Sequence, residues 1–262
     1  MTDEQKKSGR PRRPWVWLVG VVVVVGVAVA VWAATRPIAP DPDPEPTPTA
    51  QPTGPVAGSY RVATGEGGTG TAVDGRTPVG YEPTCEGAVH AATNYLVAID
   101  EALVTERTSA KEFDALLDEL GAGLDGGAAD SPIGDLKAQH ATIREESQTY
   151  DVPMFTGTSH PEWGGFLVRS CNEGSQAVVD IVRVWEEPQY PPFSTAYRVT
   201  LTWFGREGDD KDWRLVEFRQ LETDEAPASL GESEATPVPA DERRAWLMDA
   251  GPGWTEYTNA PQ

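Results

Sequence analysis

The residues that could do chemistry in this chain are few, and their spacing is unhelpful to most reactions. The histidines are His90, His140 and His160. No pair of them has the i, i+4 or H-E-x-x-H separation that lets two imidazoles meet a metal ion on one helix face, so no metal site is expected. Gly157-Thr-Ser159-His160-Pro161 sets a serine beside a histidine. It is not the G-x-S-x-G elbow, and a nucleophile's base seldom comes from its sequence neighbour, so the segment reads as a loop. Asp209-Asp-Lys-Asp212 lacks the spacing and closing glutamate of a calcium loop and reads as a solvated hairpin tip. Gly65-Glu-Gly67-Gly-Thr-Gly70 matches the dinucleotide fingerprint in letters only. No strand precedes it and no helix follows, so it reads as linker, and no cofactor is expected.

One carboxylate is a candidate general base. Asp180 lies between Val178 and Val182 on one face of a predicted strand. Enclosed among apolar neighbours in a cone-shaped pocket, with Tyr95 pointing into the same space, its pKa would rise as proton abstraction requires. On a solvated face, or beside an arginine, it would be structural. Trp163, Trp185, Trp203 and Trp213 fall at strand spacing, where tryptophan usually fills a core. No catalytic constellation beyond Asp180 emerges.

The elements that must position these groups begin with a membrane segment. Trp15 to Ala34 is twenty residues without a charge. At about 1.5 Å per residue a helix of that length spans roughly 30 Å, the depth of a bilayer's hydrocarbon core. Trp15, Trp17 and Trp32 stand near its ends, where indoles anchor at the headgroups. Ahead of the run lie Lys6, Lys7, Arg10, Arg12 and Arg13 against Asp3 and Glu4, a net charge of +3 in a chain whose total is −20. The positive-inside rule then predicts residues 1–14 in the cytoplasm, a single span at 15–34, and the remaining acidic chain outside the cell membrane. The run is longer than a signal-peptide core, and its Ala28-Val-Ala30 motif falls inside it, so an uncleaved anchor is expected.

Residues 35–76 read as a linker. Pro37 to Pro55 holds eight prolines in nineteen residues, alternating with Asp, Glu and Thr. This favours polyproline II at about 3.1 Å per residue, a semi-rigid stalk that would reach roughly 50–60 Å. Residues 77–222 read as an α+β extracellular domain. Thr84 caps a first helix with Ala88, Ala92, Tyr95, Ile99 and Ala102 at helical spacing, and Leu96 and Leu103 widening the stripe. Ser109-Ala-Lys-Glu112 is a capping box opening a second, and Ser131-Pro132 starts a third that runs to about Ser147. Four strands follow at 165–171, 176–185, 195–204 and 213–221. In the third, Tyr197, Val199, Leu201 and Trp203 alternate with Arg198, Thr200 and Thr202, so one face of an antiparallel sheet is covered. Helices packed on a four-stranded antiparallel meander are the expected layout. Residues 223–262 form an acidic tail whose Trp246, Trp254 and Tyr257 predict that its end docks on the domain.

Cys85 and Cys171 would both face an oxidising compartment. A bridge between them would close a loop of about 87 residues, worth roughly 4–5 kcal/mol in the chain-entropy model. Two separate buried thiols are the alternative.

This organisation resembles the bitopic scaffold subunits of conjugation and type IV secretion channels, whose outer domains have the nuclear-transport-factor-two-like (cystatin-like) fold. It is similar in particular to membrane-anchored proteins of mobile elements in high-GC Gram-positive bacteria. Thr77-Pro-Val-Gly-Tyr81 leading into Gly87-Ala-Val-His-Ala-Ala-Thr-Asn-Tyr-Leu96 carries the likeness, with Thr200-Leu-Thr-Trp203, Asp212-Trp-Arg-Leu215 and Gly253-Trp-Thr-Glu-Tyr257. It covers residues 77–262, and the anchor and stalk share only its layout. It implies a non-enzymatic scaffold that contacts the bilayer and other envelope proteins or its own copies. No family catalytic residue transfers. The alternatives are a small-molecule-binding or isomerase-like domain using the cone, or an accessory subunit of an envelope lipid transporter. Residues 77–222 contain 26 acids and 11 bases, a charge of −15 that repels nucleic acid and anionic lipid headgroups alike.

Overall fold

Helix α1 (Cys85–Val104) starts where its cap dictates, with the Thr84 hydroxyl accepting from the Gly87 amide at 3.0 Å. The computed structural model describes residues 60–105, 108–123, 132–150, 157–187, 190–205, 211–222, 225–226 and 237–262, all within the unit Ala50–Gln262. The basic segment 1–14, the apolar run 15–34 with Trp15, Trp17 and Trp32, and the proline-rich stalk to residue 59 lie outside the described residues, as does Ser131. Among the described residues no helix is long and apolar enough to cross a membrane.

The architecture is α+β. Helix α2 (Ala110–Leu120) carries the capping box: Ser109 Oγ accepts from the Glu112 amide, and the Glu112 carboxylate accepts from the Ser109 amide. These reciprocal bonds occupy two amides that a helix start otherwise leaves unpaired. The third helix, α3, is Pro132–Tyr150 and runs three residues beyond the predicted end. The sheet is a simple antiparallel meander in the order β3 (Thr158–Asn172), β4 (Gln176–Glu187), β5 (Tyr190–Phe204) and β6 (Asp212–Gln220). A small ribbon, β1 (Gly70–Thr71) with β2 (Pro78–Val79), precedes α1.

Strand alternation divides the sheet into two working faces. On the inner face Phe166, Val168, Val179, Ile181, Val199, Leu201, Trp213 and Leu215 are buried with Ala88, Ala92, Tyr95, Leu96 and Ile99 of α1 and Phe113, Leu116 and Leu117 of α2. On the outer face a second cluster joins Val182, Ala196 and Leu221 to Trp246 and Leu247 of α4 (Ala240–Asp249). The chain's end lies on the sheet. Phe166 and Thr255 exchange both backbone bonds across the free edge of β3, at 2.9 and 2.8 Å. Arg243, wholly buried, donates to the Glu256 carboxylate and to the carbonyls of Val238 and Pro261. At the opposite edge the Ala122 amide donates to the Leu215 carbonyl. Both edges thus have part of their unpaired backbone covered.

A disulfide joins Cys85 at the start of α1 to Cys171 at the end of β3, and no free cysteine remains. It crosslinks the helical layer to an edge strand 86 residues away.

Two features differ from the reading of composition and pattern. The packed unit includes residues assigned above to the linker, because Val62 and Ala72 belong to the core and the glycine-rich run is pinned to α1. There Asn94 accepts from the Gly65 amide and donates to the Glu66 carbonyl. Gly67, at φ +94°, lies so close over His90 that a Cβ would fall 2.6 Å from the ring. Glycines here serve close packing, a purpose that composition does not distinguish from flexibility. Likewise Thr158 to Pro161 belongs to β3 rather than to a loop. The strand continues through a bulge between His160 and Gly165, where proline and glycines interrupt the expected pattern.

Candidate functional site

The space between α1 and the sheet, where the sequence reading places a ligand cone, is lined by aromatic and aliphatic side chains. Tyr95, Phe113, Phe166, Ile181 and Trp213 have 0 % exposure, and Tyr257 has 3 %. A side chain without accessible surface borders no space that admits a water molecule, open or enclosed. Large residues fill the interior here. The Tyr95 hydroxyl is also committed, donating to the Trp213 carbonyl at 2.9 Å.

Asp180 lies on the other side of the sheet from Tyr95. Its neighbours Val179 and Ile181 point into the core, so Asp180 points outward, opposite Leu167 and Arg198. The carboxylate is wholly buried by arginines. Arg198 Nε donates to Oδ1 at 2.7 Å and its Nη2 to Oδ2 at 2.9 Å, while Arg169 Nε donates to Oδ2 at 2.6 Å. Three of roughly four lone-pair positions are therefore taken. Arg198 continues to Glu225 at 3.0 Å, and Arg219 grips the same glutamate at 2.7 Å. Hydrogen bonds from Arg219 pull the Glu225 carboxyl down to about 2, against an opposing contribution from burial. This is an ion ladder across β3, β4, β5 and the segment after β6. Asp180 and Tyr95 are not brought together.

The carboxylate that does enter the helix–sheet layer is Asp100 of α1. It is 2 % exposed and meets Arg183 of β4, 3 % exposed, with Nη2 of the arginine 2.5 Å from Oδ2. The Tyr197 hydroxyl donates to Oδ1 at 3.2 Å. Burial raises the Asp100 pKa above its ordinary value, and Arg183 partly offsets that rise. Burial, followed by the charge of Asp100, also pushes the Tyr197 hydroxyl well up. The Nε and Nη1 atoms of Arg183 are buried and donate to no hydrogen-bond acceptor. The guanidinium instead sits 4.7 Å from the Trp185 ring centroid and 5.7 Å from that of Tyr197, so its donors face aromatic surface. Next to this cluster the Ser159 amide donates to Glu101 at 3.4 Å.

Sequence reasoning missed this pair, yet a signal existed. Asp100 is four residues after Leu96 and three before Leu103, on the apolar stripe itself. Arg183 shares strand parity with Val179 and Ile181. Opposite charges at two such inward positions point to one another.

The histidines are also structural in setting. His160 stacks on Trp163 with centroids 3.9 Å apart, its Nδ1 2.7 Å from Glu162 and its Nε2 3.4 Å from Glu186. The two carboxylates lie at opposite nitrogens of the ring and cannot share one ion with it. Among the described residues no group of His, Cys, Asp and Glu could hold a metal. Asp212 opens β6 rather than a solvated tip, accepting from the amides of Gly80, Tyr81 and Trp213. Trp185 and Trp213 are core residues, and Trp163 is 9 % exposed, so they offer no stacking platform. The chain matches no protein-family model, no curated protein and no solved structure.

Proposed function

We propose that this chain is a non-enzymatic, membrane-anchored interaction module. Its cytoplasmic N-terminus and single span hold an acidic outer domain of nuclear-transport-factor-two-like arrangement, serving an envelope apparatus of the conjugation or secretion kind. The observation that carries the reading is the filled interior. Tyr95, Phe113, Phe166 and Trp213, wholly buried, leave no space beside them for a substrate, and Asp100 inside the layer is held by Arg183 and Tyr197.

Charge supports the same reading. A domain of −15 is repelled by nucleic acid and anionic lipid over about 8 Å at physiological salt, so its contacts are with proteins. The uncharged run 15–34, with a net charge of +3 before it and an acidic chain after it, supports the orientation.

The test is cross-linking of the tagged full-length chain in intact cells, followed by purification from membranes and shaving of parallel cells with external protease. The reading predicts that envelope proteins are recovered with it and that external protease removes the outer domain. Recovery of no envelope protein, or a chain that stays whole and fractionates with the cytoplasm, would overturn it.

A further inference from the structure

The helical layer is unevenly held. Helix α1 buries fourteen of its 20 residues, whereas α3, 19 residues long, buries only Leu136 and His140. No residue after His140 on α3 is buried, and the helix ends at Tyr150 with 72 % exposure. One of the two buried side chains of this helix is therefore a titratable one.

The setting of His140 suits a neutral imidazole. The ring packs against Phe113 of α2, with centroids 4.4 Å apart and planes at 41°. Its Nε2 is buried without a hydrogen-bond partner, and the residue is 1 % exposed. The charges that act on it are Arg144, one turn further along α3, and Asp114 on α2. The other elements packed against α3, α1 and β6, present no charge that shifts it. Arg144 is fixed near the ring because its Nη1 donates to the Thr108 carbonyl at 3.0 Å. Lys137 of α3 also pairs with Asp118 of α2, at 2.6 Å on the surface, a contact of a kind that contributes little to stability.

We propose that His140 makes α3 an acid-released latch, seated while the imidazole is neutral and let go from α2 when the ring takes up a proton. Protonation would place a cation in a buried site beside the Arg144 guanidinium, with no acceptor at the buried Nε2. Leaving α2 returns the imidazolium to water and uncovers the apolar face around Phe113. Burial first, then Arg144, lower the proton affinity of the seated ring, with Asp114 opposing. A released ring titrates at the ordinary 6.5. The released form thus binds the proton more tightly. Seating is complete above pH 6.5 and weakens as pH falls below it. The inference does not depend on the proposed function. It gains use from it, since a domain outside the cytoplasm meets unbuffered ambient pH.

The test is hydrogen exchange of the full-length chain at about pH 7.5 and about pH 5, each corrected for intrinsic rate, with the α1 peptide, which carries His90, as internal control. The expected result is a several-fold loss of protection across residues 132–150 on acidification and none across 85–104. In His140→Leu the α3 protection should be the same at both pH values. Equal loss in both helices, no loss in α3, or a loss that persists in His140→Leu would overturn the proposal. If that variant does not fold, a titration of the His140 ring in the parent chain decides. A midpoint below 6.5 supports the latch, and one at or above 6.5 refutes it.

Discussion

Asp100 and Asp180 are both buried aspartates that face arginine, on opposite sides of one sheet, and they live in different physical worlds. Asp180 receives three donors from two guanidiniums whose side chains remain 38 % and 20 % exposed, so its ladder is wet at the rim. Asp100 has one guanidinium, the buried Arg183 facing the Trp185 ring, and one phenol, that of the half-buried Tyr197. The first is an ion pair with water close by, the second an ion pair without it. The difference teaches that burial of a carboxylate says little about chemistry until its donors and its access to water are counted. Each aspartate is nonetheless committed to a cation, Asp180 to Arg169 and Arg198 and Asp100 to Arg183.

The comparison is broken most forcefully at Arg183. Replacing it with Met leaves the Asp100 charge buried without a cation, and urea unfolding should show a loss of about 3–5 kcal/mol. Removing the Cys85–Cys171 bridge with a double serine variant frees α1 from β3. Its expected loss is about 2–5 kcal/mol, read in the same titration under non-reducing conditions. Asp180→Asn should be milder, about 2 kcal/mol, because Arg169 and Arg198 can turn to water. A loss at Asp180 equal to that at Arg183 would erase the contrast between the two faces.

The smallest effects are in the pH dependence, and they have opposite signs. Glu225 in the outer ladder has its folded pKa lowered from 4.5 to about 2. The stability it contributes is present above 4.5 and lost as pH falls toward 2, and at this half-exposed site it amounts to less than about 1 kcal/mol. Asp100 has its folded pKa raised above 3.8. Its contribution is present below 3.8 and lost as pH rises through the raised folded value. Glu225→Gln should therefore flatten the rise of stability with pH in the acid range, and Asp100→Asn should steepen it. Equal changes of slope in the two variants would show that the two faces do not differ in this way.

Much of the fold was readable because its signals are local. The Thr84 cap, the Ser109 capping box and the alternation of Tyr197, Val199, Leu201 and Trp203 each depend on a few neighbouring residues, and the helices and the four-stranded meander follow from them. Two cysteines allow a single pairing, Cys85–Cys171, and the structure forms it where two separate buried thiols were the alternative. What escaped were features set by distant partners. Gly65 to Gly70 is written like a linker, yet Asn94 and His90 hold it. The start of β3 is written like a loop, yet Thr158, Ser159 and His160 pair with Glu186, Trp185 and Val184. Asp180 stood out because it interrupts valines, and the inward position of Asp100 went unweighed because a charge on an apolar stripe is easily taken for its edge.

A double-mutant cycle at Asp100 and Arg183 tests most directly the claim that the interior pair serves structure and not chemistry. Asp100→Leu and Arg183→Met should each destabilise the chain, while the double variant, with no buried charge left, should return to within about 1 kcal/mol of the parent. A double variant that stays as unstable as the worse single would contradict an interior pair that serves structure alone.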